Sequence, residues 1–180
     1  MKAKENKFLF DYAYTSNLKR AQETLSIILD RLDYTLKPIK NKALNERDYG
    51  DLIGRNKVDA AKEFGDDQVQ IWRRSYDIPP PGGESLKMTC DRTLPYFKEI
   101  FDLVLNNNNI IIAAHGNSIR AIVKKLFNYS SELILKTEVG WCEPWVFKFN
   151  KDGTIRDFKI LKIDTVSNSN VPEMPKLKIE

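Results

Sequence analysis

The run Ile110–Ala114, five apolar residues in a row followed at once by His-Gly-Asn-Ser, constrains this chain more than any other feature. A strand with no polar side must be covered on both faces, which is the condition of a parallel sheet held between two layers of helices. Behind the turn, Ile119, Ile122, Val123, Leu126 and Phe127 recur at helical spacing. The unit therefore reads as strand, turn, helix, and it places His115, the one histidine among the 180 residues, at a helix start.

The same alternation continues along the chain. Asp11–Thr15 is β-prone, and Ser16 is placed to cap a helix whose Leu18, Ala21, Leu25, Ile28, Leu29 and Leu32 share a face. Leu36–Lys40 predicts a second strand, and the polar stretch 45–57, with Gly50 and Gly54, predicts a loop. Val58, Ala61 and Phe64 predict a short helix ended by Gly65, and Val69, Trp72 and Tyr76 the face of another. After IPPPGG, a long amphipathic helix runs from Leu86 to Leu105, with Pro95 expected to kink it. Trp145–Phe149 and Thr154–Lys162, joined by Lys151-Asp152-Gly153, predict a hairpin at the sheet edge. The expected fold is α/β, a three-layer, mostly parallel sheet with helices on both faces. It forms one domain over residues 1–163, and 164–180, poor in apolar residues, are expected to be a mobile tail.

Composition narrows the function classes. The longest apolar run falls far short of the roughly 20 residues that span a bilayer, and MKAKENKFLF lacks the roughly 7 to 15 apolar residues of a secretory leader. A net charge of +4, with lysines spread among acids, gives little of a nucleic-acid footprint. Cys90 and Cys142 form neither a metal spacing nor a disulfide framework, which fits the cytoplasm. The expectation is therefore no nucleic acid, no membrane and no metal.

What remains is anion chemistry. Ligands of open parallel sheets bind beyond the carboxyl ends of the strands, where helix N-termini present free amides. TSNLKRA places Arg20 one turn into a helix after the first strand, and HGNS places His115 with the Gly116 and Asn117 amides after the apolar strand. Lys57 and the adjacent Arg73 and Arg74 add cations, and no Walker-type loop is present. Arginine suits the task because its planar fork pairs bidentately with phosphate or carboxylate oxygens. Each residue alone reads equally as an ordinary structural or surface group; Glu46 in NERDYG is one such acid.

Together they resemble a known family. YTSNLKRAQETL (14–25), LNERDYGDLIGRNK (44–57), FGDDQVQIWRRSY (64–76), YDIPPPGGESL (76–86) and IIIAAHGNSIRAIVKKL (110–126) are similar, in order, to the cofactor-dependent phosphoglycerate mutases of the histidine phosphatase superfamily. The resemblance runs from about Asp11 to Phe149. It implies interconversion of 2- and 3-phosphoglycerate with 2,3-bisphosphoglycerate as phosphoryl donor and without a metal. It implies Glu46 as proton donor and acceptor, His115 as stabiliser of the transferring phosphoryl group, and Arg20 on that same group. It further implies Tyr49, Lys57, Arg73, Arg74, Gly116 and Asn117 as substrate-binding, with Glu84 and Ser85 in the segment leading back to the pocket. The partners implied are small-molecule phosphoglycerates, and a homodimer is compatible with the resemblance.

The family begins with a strand carrying an Arg-His-Gly turn whose histidine is phosphorylated, and no such motif occurs in these 180 residues. The expectation is a truncated or inactive form of a mutase, unless the recorded start is misplaced; the alternatives are a non-catalytic decayed product or a phosphatase of the same superfamily. In the family fold that strand lies beside the one ending in His115, so its absence implies two unpaired strand edges. Smaller departures are Asp48 within ERDYG and Trp141-Cys142 before the strand near Pro144.

Overall fold

A computed structural model describes residues 8–162 and 168–178, with the side chain of Lys57 outside the description. The strands are β1 (Tyr12–Thr15), β2 (Ile39–Lys40), β3 (Ile110–Ala113), β4 (Trp145–Phe149) and β5 (Ile155–Ile160). The α-helices are α1 (Lys19–Arg31), α2 (Lys57–Phe64), α3 (Asp66–Arg74), α4 (Leu86–Leu105), α5 (Gly116–Phe127) and α6 (Ser131–Lys136).

The first three strands form a parallel sheet in the order β2-β1-β3, with Tyr12 opposite Ile110 and Thr15 opposite Ala113. Side chains alternate across it. Ala13, Ile111 and Ala113 face Leu25 and Leu29 of α1, whereas Tyr14, Ile110 and Ile112 face Phe97, Ile100 and Ile122 of α4 and α5. Both faces of β3 are thus covered, which is why its residues are apolar without interruption. Leu25 is fully buried, and burial of such a side chain contributes about 1.5–3 kcal/mol.

The α/β expectation holds, and several local expectations change. Helix α3 stops at Arg74; Ser75 is extended, and Tyr76 turns away to pack beside Cys90, where burial pushes its hydroxyl up to about 12. The hairpin β4-β5 is a separate antiparallel sheet over α5, where Phe127 meets Trp145, Phe147 and Phe158. Among the described residues β3 therefore ends its sheet, with β1 on its one paired side, and is only half-buried along its length. Helix α6, capped by Ser130, falls where no element was expected.

Of the expected C-terminal tail, 164–180, residues 164–167 and 179–180 lie outside the described residues. Residues 168–178 lie along the body: Ser169 Oγ accepts hydrogen bonds from the Gly140 amide at 2.8 Å and the Trp145 indole at 3.2 Å. Val171 packs against the core beneath α5, and Lys178 donates its amide to Ile155 O at 2.9 Å. A short apolar and hydroxyl complement is enough to hold a polar segment when it satisfies backbone groups of the body.

Candidate functional site

Parallel pairing of β1 with β3 in the register Thr15–Ala113 makes both strands open onto the same end of the sheet. The residues that follow them therefore meet. Ser16 Oγ and His115 Nε2 lie 2.8 Å apart, both groups buried, although the two residues are 99 positions apart in sequence. Ser16 was expected to cap the helix. Instead the cap position of α1 belongs to Leu18, and the Ser16 hydroxyl accepts the Leu18 amide at 3.1 Å while bonding to His115. Ser118 Oγ accepts the His115 amide at 3.1 Å and fixes the histidine at the start of α5. Burial, then the Arg20 guanidinium, lower the pKa of His115 below its usual 6.5, with Glu46 opposing them in part. The imidazole is accordingly neutral at neutral pH.

Strand β2 ends beside the same opening, because Asn41 donates its amide to Thr15 O at 3.0 Å. A single 3₁₀ turn, Lys42–Leu44, follows; its buried Leu44 anchors the loop in the core and delivers Glu46 to the site. Glu46 Oε1 accepts the Arg47 amide at 2.8 Å and the Asn117 amide at 3.1 Å. Asn117 Nδ2 in turn donates to the Tyr49 hydroxyl at 3.2 Å. The amide at the start of α5 thus already holds an anion, the carboxylate of Glu46.

Arg47 is the buried cation of the loop. Its guanidinium lies over the Tyr49 ring at 4.4 Å, and Nη2 donates to Trp72 O at 3.3 Å. Its Nε is buried with no hydrogen-bond partner among the described residues. Through Trp72 the loop is tied to the last turn of α3, which carries the exposed Arg73 and Arg74. Arg20, also exposed, is near enough to His115 to act on its proton. None of Arg20, Arg73 and Arg74 pairs with a carboxylate among the described residues, whereas Arg92 and Arg120 do.

Hydrogen bonds or charge thus connect His115, Glu46, Asn117, Tyr49 and Arg20, and Gly116 lies against the Glu46 carboxylate. Lys57 opens α2. Ser85 instead caps α4 by accepting the Met88 amide at 3.1 Å, and Glu84 pairs with Arg92 at 2.8 Å. A recess of about 510 Å³ borders Glu46 and is lined also by Lys42, Asn45, Asp48, Glu84 and Arg92. No group of three or more potential metal ligands occurs among the described residues, and no described helix is long and apolar enough to cross a membrane.

Three residues of the site escaped the sequence: Ser16, Arg47 and Arg92. The trace they leave is slight. Arg92 shares a helix face with Thr89, Thr93 and Tyr96, a polar strip within an otherwise apolar side, and Ser16 sits one residue past a strand end.

A histidine and a carboxylate thus gather at a helix start, with the Arg20 guanidinium beside the histidine. The family profile of the histidine phosphatase superfamily (branch 1) matches residues 3–159. The 2,3-bisphosphoglycerate-dependent phosphoglycerate mutase of Nitrobacter winogradskyi is 54% identical over 156 residues, covering 86% of this chain and 75% of that protein. The fold matches the α-ribazole phosphatase of Shigella flexneri with a TM-score of 0.73 at 21% identity, covering 92% of this chain and 79% of the other. It also matches a mycobacterial glucosyl-3-phosphoglycerate phosphatase with a TM-score of 0.69 at 20% identity, covering 88% and 79%. Sequence, fold and pocket chemistry converge on one conclusion: this chain belongs to the histidine phosphatase superfamily, branch 1, a superfamily of enzymes.

Proposed function

We propose that the pocket binds a phosphoglycerate and supplies the acid/base and phosphoryl-stabilising half of a phosphoglycerate mutase site, working in the cytoplasm. The observation that carries this reading is the meeting of Glu46, Asn117 and His115 at the start of α5, with the Arg20 guanidinium close enough to lower the His115 pKa. A small acid bearing phosphate and carboxylate fits that set: Arg20 and His115 face a phosphoryl group, while Arg73, Arg74, Lys57 and Tyr49 serve the remaining anionic oxygens.

Glu46 holds the proton of the substrate hydroxyl, placed for it by two backbone amides on one of its oxygens. Burial and Arg20 favour the neutral form of His115; an arriving phosphoryl dianion raises its proton affinity, so positive charge develops where negative charge collects. Positioning and charge neutralisation of this kind are the main resources of phosphoryl transfer. Arg20 and Arg47, whose buried Nε has no hydrogen-bond partner among the described residues, also fit 2,3-bisphosphoglycerate, which supplies the transferable phosphoryl group when bound.

The 180 residues contain one histidine, and His115 is committed to Ser16 and α5. By themselves they therefore bind without turnover, because the covalent route needs a second histidine as nucleophile. Isothermal titration of the purified chain with 3-phosphoglycerate is expected to show saturable binding, abolished in Arg20→Ala, and an enolase-coupled assay with 2,3-bisphosphoglycerate is expected to show none of the coupled signal. Absence of binding overturns the pocket reading. Turnover that disappears in Glu46→Gln overturns the inactivity, and phosphate release from the substrate moves the assignment to a phosphatase.

A further inference from the structure

Arg92 lines the recess beside Glu46 and adds to the charge that lowers the His115 pKa, and it makes more hydrogen bonds to the Glu46 loop than any other described side chain. From the middle of α4 its guanidinium reaches two targets at once. Nε and Nη2 grip both oxygens of Glu84 at 2.8 Å each. Nη1 donates to Ala43 O at 2.8 Å and Lys42 O at 3.4 Å, and Nη2 to Asn45 O and Glu46 O at 3.1 Å each.

Glu84 completes the clamp from the other side. Its Oε2 accepts the Asp48 amide at 3.1 Å, and its own amide donates to Asp48 O at 2.8 Å. The peptide units on both sides of Glu46 are therefore fixed to one ion pair that is three-quarters buried on both side chains. Burial raises the Glu84 carboxyl, but its bonds to Arg92, to the Asp48 amide and to Thr89 outweigh that and hold it below the usual range. An arginine is required here, because only a planar fork serves a carboxylate and several carbonyls together.

From this geometry we infer that Arg92, held by Glu84, is the positioning residue of Glu46: it sets the height of the loop so that the Glu46 carboxylate meets the Asn117 amide at the start of α5. The inference rests on the reading of Glu46 as the group that handles the substrate's hydroxyl proton.

The Asn117 amide reports on this directly, since it donates to Glu46 Oε1 and, among the described residues, makes no hydrogen bond to Arg92 or Glu84. In a ¹⁵N-labelled chain, Glu46→Ala moves the Asn117 amide proton upfield and supplies the reference. Arg92→Ala is expected to reproduce most of that displacement, and to speed amide exchange in residues 45–48 by about tenfold while exchange in the interior of α5 stays as it was. Arg92→Lys, which keeps the charge and loses the fork, fails to restore either signal. Glu84→Gln shifts both in the same direction by less, and it carries the test with Arg92→Lys if Arg92→Ala does not fold. An unmoved Asn117 amide in the folded variants overturns the inference, and so does a uniform rise in exchange across α5, the mark of lost stability alone. Titration of the unmodified chain with 3-phosphoglycerate separates the two levels: no binding removes the proposed function, while the Asn117 signal still decides the role of Arg92.

Discussion

The carboxylate of Glu46 accepts the backbone amide of Asn117 at 3.1 Å, so the positive end of α5 is occupied by a charge from a loop 71 residues earlier in the chain. The first turn of α5 and the loop carboxylate are here joined in one contact. Any phosphate entering beside His115 meets that negative charge.

Glu46→Gln keeps an oxygen for the Arg47 and Asn117 amides and removes the charge. Inorganic phosphate is expected to bind about fivefold tighter, on the order of 1 kcal/mol, with an unchanged melting temperature. Calorimetric titration measures it; equal or weaker affinity would show that Glu46 does not compete with the anion.

His115 gives a pH signature. Its folded pKa lies below 6.5 through burial and Arg20, so between the folded and unfolded values the unfolded chain binds more protons. The histidine's contribution to stability is therefore complete above about pH 6.5 and lost as pH falls through the folded value. Urea midpoints across pH 5–7 should drop on the acid side, and should drop less in His115→Gln. In ¹H NMR the imidazole should titrate below 6.5, and added phosphate should move the titration upward.

Ser16→Ala strands a buried ring nitrogen of His115 and removes the acceptor of the Leu18 amide. The loss is expected to be about 1–3 kcal/mol, read from urea unfolding. An unchanged midpoint would mean that the imidazole does not depend on this hydroxyl.

Gly50 sits at φ +53°, and a Cβ there would run into the Pro81 carbonyl and the Gly82-Gly83 backbone. The Glu46 loop lies against this turn, with the Asp51 amide on Pro81 O at 3.0 Å. Gly50→Ala is expected to cost about 2 kcal/mol or more, with hydrogen exchange rising first in residues 45–52. A melt that matches the parent would contradict the close approach.

Much of the site was legible because its groups sit at element boundaries. The apolar run Ile110–Ala113 and the periodic stripe of α5 bracket His115, Gly116 and Asn117 so closely that local pattern places them at a strand–helix junction. Local pattern also misleads. Ser16 has the sequence position of a helix cap, yet its hydroxyl is drawn to His115, a partner visible only after β1 and β3 pair. Tyr76 continues the spacing of Val69 and Trp72 but leaves the helix, because the buried cluster around Cys90 offers its ring more than the solvent beyond Arg74. Leu133-Ile134-Leu135 shows no polar alternation, so α6 had no period to betray it.

Period, punctuation and charge along the chain were sufficient for the alternation of strands and helices, for the layered α/β class and for the placement of His115 and Arg20 after strand ends. They act over a few residues, the range on which side-chain facing and capping depend. The strand order β2-β1-β3, the bond from Ser16 to His115, the seating of Glu46 on α5 and the Arg92 clamp were decided by tertiary structure. They join groups from 25 positions apart, Tyr14 with Ile39, to 99, Ser16 with His115, and such partners are selected by which buried groups must satisfy one another once the sheet closes over its two helical layers.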